Sequence, residues 1–443
     1  MNKSVLLVAP VESRSGYGNH ARDVAQAIIE SDGYDLQIVA TSWGSCPNNA
    51  LEFDKPAHNE IDKRIIKSEV QITKPDIFIQ LTIPNEFQPN QGRYNIGFTA
   101  GIETDVCAVD WVEGCNRMDH VIATSEHSLN VLKDTVFDER DKQSQKVIRT
   151  IKFDKNKVKS DVLFEGVHPE VYHKTSTIDK DLKQLINNTV KEKFAFLFVG
   201  HWLQGKPGQD RKDISMMIET FIQTFIKTPP SKRPALILKT SSAGFSVTDR
   251  EELFRKVNVI RSKFKNPPNI YILHGNFTDS EMNSLYNHPK IKAMISFTKG
   301  EGFGRPLLEF TTTGKPVIAS GWSGQVDFLD KDSSILLPGE LTPVHNSSTN
   351  KWIIKGSKWF TVNYSFASTI LKQVFDNYDK YKARGVKQKK ITETQFSFDK
   401  MKEKLISILD NITIHSNSDI GVGELKMPKL KLKTKKKKDA SKV

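Results

Sequence analysis

Short apolar runs rich in Val, Ile and Phe recur along this chain, each followed by a longer stretch with the 3.6-residue spacing of an amphipathic helix, and this alternation restricts the fold more than any other feature. Runs of that kind read as strands buried on both faces, which belong to parallel sheets covered by helices. One series of candidate strands lies at 5–10, 35–40, 75–81, 94–98 and 119–124, with helices predicted at 19–30 and 126–133. It closes near Val162-Leu-Phe-Glu-Gly-Val-His168. A second series lies at 194–199, 234–239, 269–274, 292–297 and 316–319, with helical patterns starting near Asp213, Thr248, Asp279 and Arg305. The expectation is an α/β protein with two doubly wound parallel sheets.

At 443 residues the chain exceeds what one core organises, which agrees with two series. The expected layout is a first Rossmann-like domain at 1–175, a polar linker at 176–193, a second Rossmann-like domain at 194–364, helices at 365–413 and a tail at 414–443. Periodicity leaves the domain membership of the C-terminal helices open, with packing back on the first domain as one option. No apolar run approaches the roughly 18 residues of a membrane helix. The chain enters Val5-Leu-Leu-Val-Ala9 too early for a secretory leader, so a cytoplasmic protein is expected. Cys46, Cys107 and Cys115 form no CxxC pair and suggest neither disulfides nor zinc. Most of the net charge of +13 is local: residues 424–443 hold nine lysines against Glu424 and Asp439, a net +7, leaving +6 for the rest. Such a tail should be disordered. It suits solubility, peripheral contact with an anionic membrane, or non-specific nucleic-acid contact. Specific nucleic-acid binding is not expected.

In open α/β sheets ligands bind beyond the carboxyl ends of the strands. The first strand runs into Glu12-Ser-Arg-Ser-Gly-Tyr-Gly-Asn-His20, where Gly16 and Gly18 either let the backbone approach a ligand or simply form a tight strand-to-helix turn. After the strand ending at Gly200, Arg211 and Lys212 precede Asp213, read as a helix N-cap. Two cations at a helix start oppose the helix dipole unless an anion is shared, which makes them candidate diphosphate ligands. Lys239 places a third cation at a strand end. The richest segment is Glu301-Gly-Phe-Gly-Arg-Pro-Leu-Leu-Glu309: a strand, a glycine-studded loop and a helix start with Pro306 in its first turn. There the amides of Gly302, Phe303 and Gly304 are expected to face phosphate, Glu301 the sugar and Glu309 the nucleotide ribose.

The 301–309 segment resembles the E-x7-E signature of glycosyltransferase family four, a large retaining family with the GT-B fold. Gly314-Lys-Pro-Val-Ile-Ala-Ser-Gly-Trp-Ser-Gly324 is similar to the strand and glycine turn that follow it. Ser15-Gly-Tyr-Gly18 resembles the family's N-terminal glycine loop, and Glu165-Gly-Val-His168 the turn before its linker. Phe198-Val-Gly200 with Arg211-Lys212 is similar to its phosphate-binding Arg and Lys. The resemblance spans about residues 5–329 in family order. It implies two Rossmann-like domains facing across a cleft, a nucleotide-sugar donor on the second and a glycan, lipid-linked or other hydroxyl acceptor on the first. It also implies retention of anomeric configuration, no metal and no cofactor. Where many members carry a histidine near the donor sugar, the stretch 97–105 has Glu103, which takes that place as a polar group near the reacting sugar. The family's Arg and Lys are spaced differently from Arg211-Lys212. Other readings of the same residues are a nucleotide-sugar epimerase or phosphorylase on this fold, and a non-catalytic nucleotide- or carbohydrate-binding protein.

Overall fold

The apolar runs form strands where they are long enough to cross a core. In the first half these are β1 (Lys3–Ala9), β2 (Tyr34–Ala40), β3 (Ile77–Leu81), β4 (Tyr94–Thr99) and β5 (His120–Ala123). An exposed antiparallel hairpin of β6 (Val136–Arg140) and β7 (Val147–Lys152) follows, then β8 (Lys159–Val162). The sheet order is β2-β1-β3-β4-β5-β8, all parallel. Helices α1 (Gly16–Ile29), α2 (Pro56–Arg64), α3 (Val109–Cys115) and α4 (Glu126–Asp134) connect these strands. The structure, a computed structural model, describes residues 2–67, 73–242 and 245–414, so the Lys-rich tail lies outside the described residues.

The stretch at 176–193, expected to be a linker, instead carries α5 (Lys180–Thr189). Leu182 and Ile186 lie one turn apart on its inner face, with Val190 just beyond its end, and all three are buried in the core that holds Leu285 and Ile237. The lysines that made the stretch look like a linker lie on its outer face.

The second sheet contains β9 (Ala195–Val199), β10 (Ala235–Lys239), β11 (Ile270–Leu273), β12 (Ile291–Ser296), β13 (Val317–Ser320) and β14 (Ile335–Leu337). Its order is β11-β10-β9-β12-β13-β14, again all parallel. Helices α6 (Ile214–Phe225), α7 (Val247–Arg261), α8 (Asp279–Asn287) and α9 (Arg305–Thr311) cover it. In each sheet the first strand in sequence, β1 or β9, lies inside the sheet with later strands on both sides, so the connections diverge there. Divergence opens a crevice at the strand ends. The loops after β1, β9 and β12 are the segments whose motifs stood out in the sequence.

Two further connections tie the halves together. An antiparallel hairpin, β15 (Gly339–Pro343) and β16 (Lys358–Val362), carries a loop whose Trp352 packs 5.9 Å from Trp111 of α3. Asp105 and Lys358 exchange two hydrogen bonds through the Asp105 amide and carboxylate. At the C-terminal end, α10 (Tyr364–Asp376) and α11 (Tyr378–Gln395) stay with the second sheet. Ala367, Leu371 and Val374 share a core with Phe221 and Phe225, while Thr392 bonds Thr311 of α9 at 2.7 Å. Helix α12 (Phe398–Asp410) crosses back to the first sheet, where Phe398, Met401, Leu405 and Leu409 are buried with Val24, Ala25 and Ile28 of α1. Leu405→Ala should therefore cost about 2–5 kcal/mol. Thermal unfolding should show a lowered midpoint, and an unchanged one would mean that α12 does not close the first core.

Candidate functional site

The loop between β12 and α9 crosses from the second sheet to touch the first. A Cβ on Gly300 would lie 2.1 Å from the carbonyl oxygen of Glu103, and one on Gly302 would lie 2.5 Å from that of Ala100. The Ser125 hydroxyl donates to the Gly302 carbonyl at 2.6 Å. Backbone-to-backbone approach thus accounts for glycine at 300 and 302, a reason the sequence reading did not anticipate. The amides of Gly302, Phe303 and Gly304 have no acceptor among the described residues. Gly304 starts α9 at φ 102°, a conformation that glycine adopts without penalty, and Pro306 occupies the first turn.

Behind this loop lies a cavity of about 570 Å³ between the sheets. Gly16, Glu103, Arg211, Lys212, Lys239, Glu301, Gly302, Phe303, Gly304 and Glu309 all line it. Arg211 Nη1 donates to the Gly300 carbonyl at 2.8 Å and lies 3.3 Å from Glu301 Oε2 and 3.2 Å from Glu103 Oε1. It therefore joins a carboxylate from each half of the molecule. Lys212 Nζ is ion-paired with Glu301 Oε1. Burial would raise the Glu301 carboxyl, but Lys212 and Arg211 hold it below the ordinary range. Burial lowers the Lys212 ammonium despite Glu301. Lys239 donates to the Gly275 carbonyl at 2.6 Å, 4.4 Å from the Phe277 ring, and burial pushes it down to about 8.

Not every residue expected at a ligand stands free to meet one. Gly18 does not line the cavity: its amide bonds Ser15 Oγ at 3.0 Å, and a Cβ there would lie 2.1 Å from the Ser13 carbonyl oxygen. It serves the turn into α1, one of the two roles the sequence left open. The Phe303 side chain is buried against Phe328, so only its backbone faces the cavity. Asp213 occupies the cap position of α6 without capping it. Its backbone is left-handed, at φ 51°, and its carboxylate takes the Tyr364 hydroxyl at 2.6 Å and Lys299 at 3.2 Å. The capping acceptor is Asp210, bonded to the Ile214 amide at 3.2 Å.

Glu309 belongs to a second buried charge cluster, organised by Arg305. Arg305 Nε donates to Glu309 Oε1 at 3.2 Å, and Nη1 is ion-paired with Asp23 of α1 and lies 3.6 Å from Glu165 Oε2. Tyr286 caps the other Glu309 oxygen at 3.1 Å. His168 bridges Asp23 and Glu170 at 2.9 Å each, and against the effect of burial these carboxylates raise it to about 9. Burial pushes both Glu309 and Glu165 up to about 7. Asp23 went unnoticed in the sequence because a single acid on a helix carries no signal. His20 did too: it lines the cavity, neither ring nitrogen has a partner among the described residues, and burial pushes it down to about 4. Its place one turn beyond the glycine loop was the available clue.

Among solved structures the chain is similar to Anabaena HepE in complex with UDP and glucose, at 14% identity over 93% of this chain and 100% of that one, with a TM-score of 0.57. It is also similar to a glycosyltransferase from Rickettsia africae, at 14% identity over 93% and 100%, with a TM-score of 0.59. Sucrose-phosphate synthase from Thermosynechococcus elongatus matches at 12% identity over 92% and 98%, with a TM-score of 0.58. These likenesses establish the fold: two Rossmann-like α/β domains across a cleft, the GT-B arrangement. No protein-family model matches the chain, and no curated protein matches its sequence.

The raised Glu309 carboxyl has a consequence for stability. Between the ordinary value of 4.5 and about 7, the folded chain keeps a proton that the unfolded chain has released, so this group's contribution falls as pH rises through that window. Glu309→Gln removes the contribution. The midpoint of thermal unfolding of wild type relative to Glu309→Gln should therefore be higher by a few degrees at pH 5 than at pH 7.5, and a difference that does not change with pH would contradict the assignment.

Proposed function

We propose that this protein is a glycosyltransferase that moves a sugar from a nucleotide-sugar donor to a hydroxyl group of a glycan, lipid-linked or other acceptor, retaining the anomeric configuration. The observation that carries this reading is the buried Arg211–Lys212–Glu301 group facing the unpaired amides of 302–304 at the start of α9. Cations and amides together form a receptor for a diphosphate, and Glu301 beside them accepts hydrogen bonds from sugar hydroxyls. The structures of HepE with UDP and glucose, and with UDP-glucose, support a donor of this class on this fold.

In the proposed reaction the bond between the anomeric carbon and the diphosphate oxygen breaks while the acceptor oxygen bonds to that carbon on the same face. The acceptor proton passes to the departing phosphate. Negative charge grows on the leaving oxygens, and Arg211, Lys212 and the 302–304 amides, already in place and shielded from water, stabilise it. These groups supply the charge compensation that a divalent cation gives elsewhere, so the reaction is read as metal-independent. Glu103 sits 3.2 Å from Arg211 on the first-domain side of the cavity, where it can orient the reacting sugar or the incoming hydroxyl. Glu309, held by Arg305 and Tyr286, is read as the acceptor for the ribose hydroxyls.

Each of Arg211→Ala and Lys212→Ala should lower kcat/KM by roughly 10²–10³, the loss typical of removing one preorganised charge stabiliser. The measurement is release of nucleoside diphosphate from a panel of nucleotide sugars, with product analysis to separate transfer from epimerisation. Full activity in either variant overturns the site, and nucleotide binding without turnover across the panel favours a non-catalytic binding protein.

A further inference from the structure

Among the described residues, six other than glycine have a left-handed backbone, and four of these, Asp32, Asn90, Gln145 and Asn266, lie in exposed loops. The two that are buried are Asp213, at φ 51°, and Ser323, at φ 71°. Both adjoin the donor cavity. Asp213 follows Lys212 directly, and Ser323 Oγ accepts the Glu301 amide at 2.9 Å. Backbone of this kind is unfavourable for any residue with a Cβ and persists only where the surroundings enforce it.

At Asp213 the enforcement comes through its own carboxylate. Oδ2 takes the Tyr364 hydroxyl at 2.6 Å and lies 3.2 Å from Lys299 Nζ, which also donates to Thr361 Oγ1 of β16 at 2.9 Å. The Asp213 and Lys299 side chains are 0% and 2% exposed. Stability does not account for such a pair, because desolvating two ions costs about as much as their attraction returns, and apolar side chains would fill the same space. Geometry accounts for it better. Arg211 and Lys212 are the middle residues of a turn closed by the Asp213 amide on the Asp210 carbonyl at 3.0 Å. The Lys299 amide donates to the Arg211 carbonyl at 2.7 Å, and the Lys299 carbonyl accepts the Phe360 amide at 2.9 Å. Lys299 therefore grips this turn on both sides of Lys212, by its backbone at Arg211 and by its side chain at Asp213. It stands two residues before Glu301, so the same contacts set the cation loop against the acid loop. None of Asp213, Lys299 and Tyr364 lines the cavity, which leaves them no direct contact with a ligand there.

We infer that Asp213, held left-handed by Lys299 and Tyr364, is a positioning residue: its backbone conformation, and not its charge, fixes the turn that aims Arg211 and Lys212 at a diphosphate. The identity of the anion rests on the proposed function, whereas the positioning stands on the buried strain and the contacts that hold it. Glutamate 301 is presented by the neighbouring loop in the same way, through the amide bond to Ser323.

The test is calorimetry on the full chain with inorganic pyrophosphate, which presents a diphosphate without base or sugar. The wild type should bind it and Arg211→Ala should not. Two double variants cut the buried pair without changing net charge. In Asp213→Ala/Lys299→Met the left-handed backbone is disfavoured, and binding should weaken about tenfold. In Asp213→Gly/Lys299→Met glycine reaches that backbone freely, and binding should return to within about threefold of wild type. A pair that serves stability alone would shift thermal unfolding in both double variants and leave their pyrophosphate affinities alike. Equal affinity in the two therefore overturns the inference, as does wild-type affinity in the alanine variant or binding that survives Arg211→Ala. Should the alanine variant unfold, Tyr364→Phe removes one bond to the Asp213 carboxylate and no charge: a loss of about threefold is expected, and unchanged binding overturns the inference. The stated pattern without sugar transfer from any nucleotide sugar keeps the positioning and removes the transferase reading. Sugar transfer with pyrophosphate binding indifferent to residue 213 does the reverse, and absence of binding by the wild type overturns the positioning.

Discussion

Arg211, Lys212 and Arg305 are buried between two sheets, and each such charge taken out of water would cost several kcal/mol if it stood alone. None does. Arg211 lies between Glu103 on the first half and Glu301 on the second, Lys212 pairs with Glu301, and Arg305 draws Asp23 and Glu165 of the first half against Glu309 of its own helix. Charge compensation is thus shared across the cleft, so the relative position of the halves and the ionisation of the site are one problem. Separating the halves would strand cations on one side and carboxylates on the other. Lys212 and Arg211 hold Glu301 below the ordinary carboxylate range, while burial pushes Glu309 and Glu165 up to about 7.

The same arrangement bears on the proposed donor site. Glu301 pairs with both Arg211 and Lys212. On the proposed function, an incoming diphosphate would compete for those cations and free the carboxylate for neutral hydroxyl donors, exchanging one charge partner for another. The backbone supports this exchange. The Gly302 carbonyl is anchored to Ser125, while the amides of 302–304 have no acceptor among the described residues. The β15–β16 loop adds a second tie: Ser348 bonds the Gln209 carbonyl beside Arg211, and Trp352 packs on Trp111 of the first half. The cation-bearing loop after β9 is thereby coupled to the position of the first sheet.

Much of this was legible in the sequence because parallel strands buried on both faces must be continuously apolar and their helices amphipathic. The strand runs, the helices starting near 213, 248, 279 and 305, and the glycine-rich approach to α9 all follow from local pattern. The α5 helix was missed because its polar residues outnumber its three apolar ones, although the spacing of Leu182 and Ile186 was a helical signal. Asp213 takes the expected cap position, but its carboxylate turns inward to Lys299 and Tyr364, which sequence position alone does not distinguish from one that bonds the helix start. Gly16 and Gly18 looked equivalent, yet only Gly16 faces the cavity, since one glycine on a helix start can point outward while its neighbour two residues on packs against the preceding loop.

The sequence alone determined the two-sheet α/β architecture, the residues at the strand ends and the cationic and acidic character of the 211–212 and 301–309 segments, because these depend on periodicity and residue type within short windows. Tertiary structure decided the partners: that Arg211 answers to Glu103, that Arg305 answers to Asp23, and that the glycines at 300 and 302 admit the backbone of the opposite half. Pairing energies of buried charges depend on distance and desolvation between residues far apart in the chain, and no local pattern carries that information.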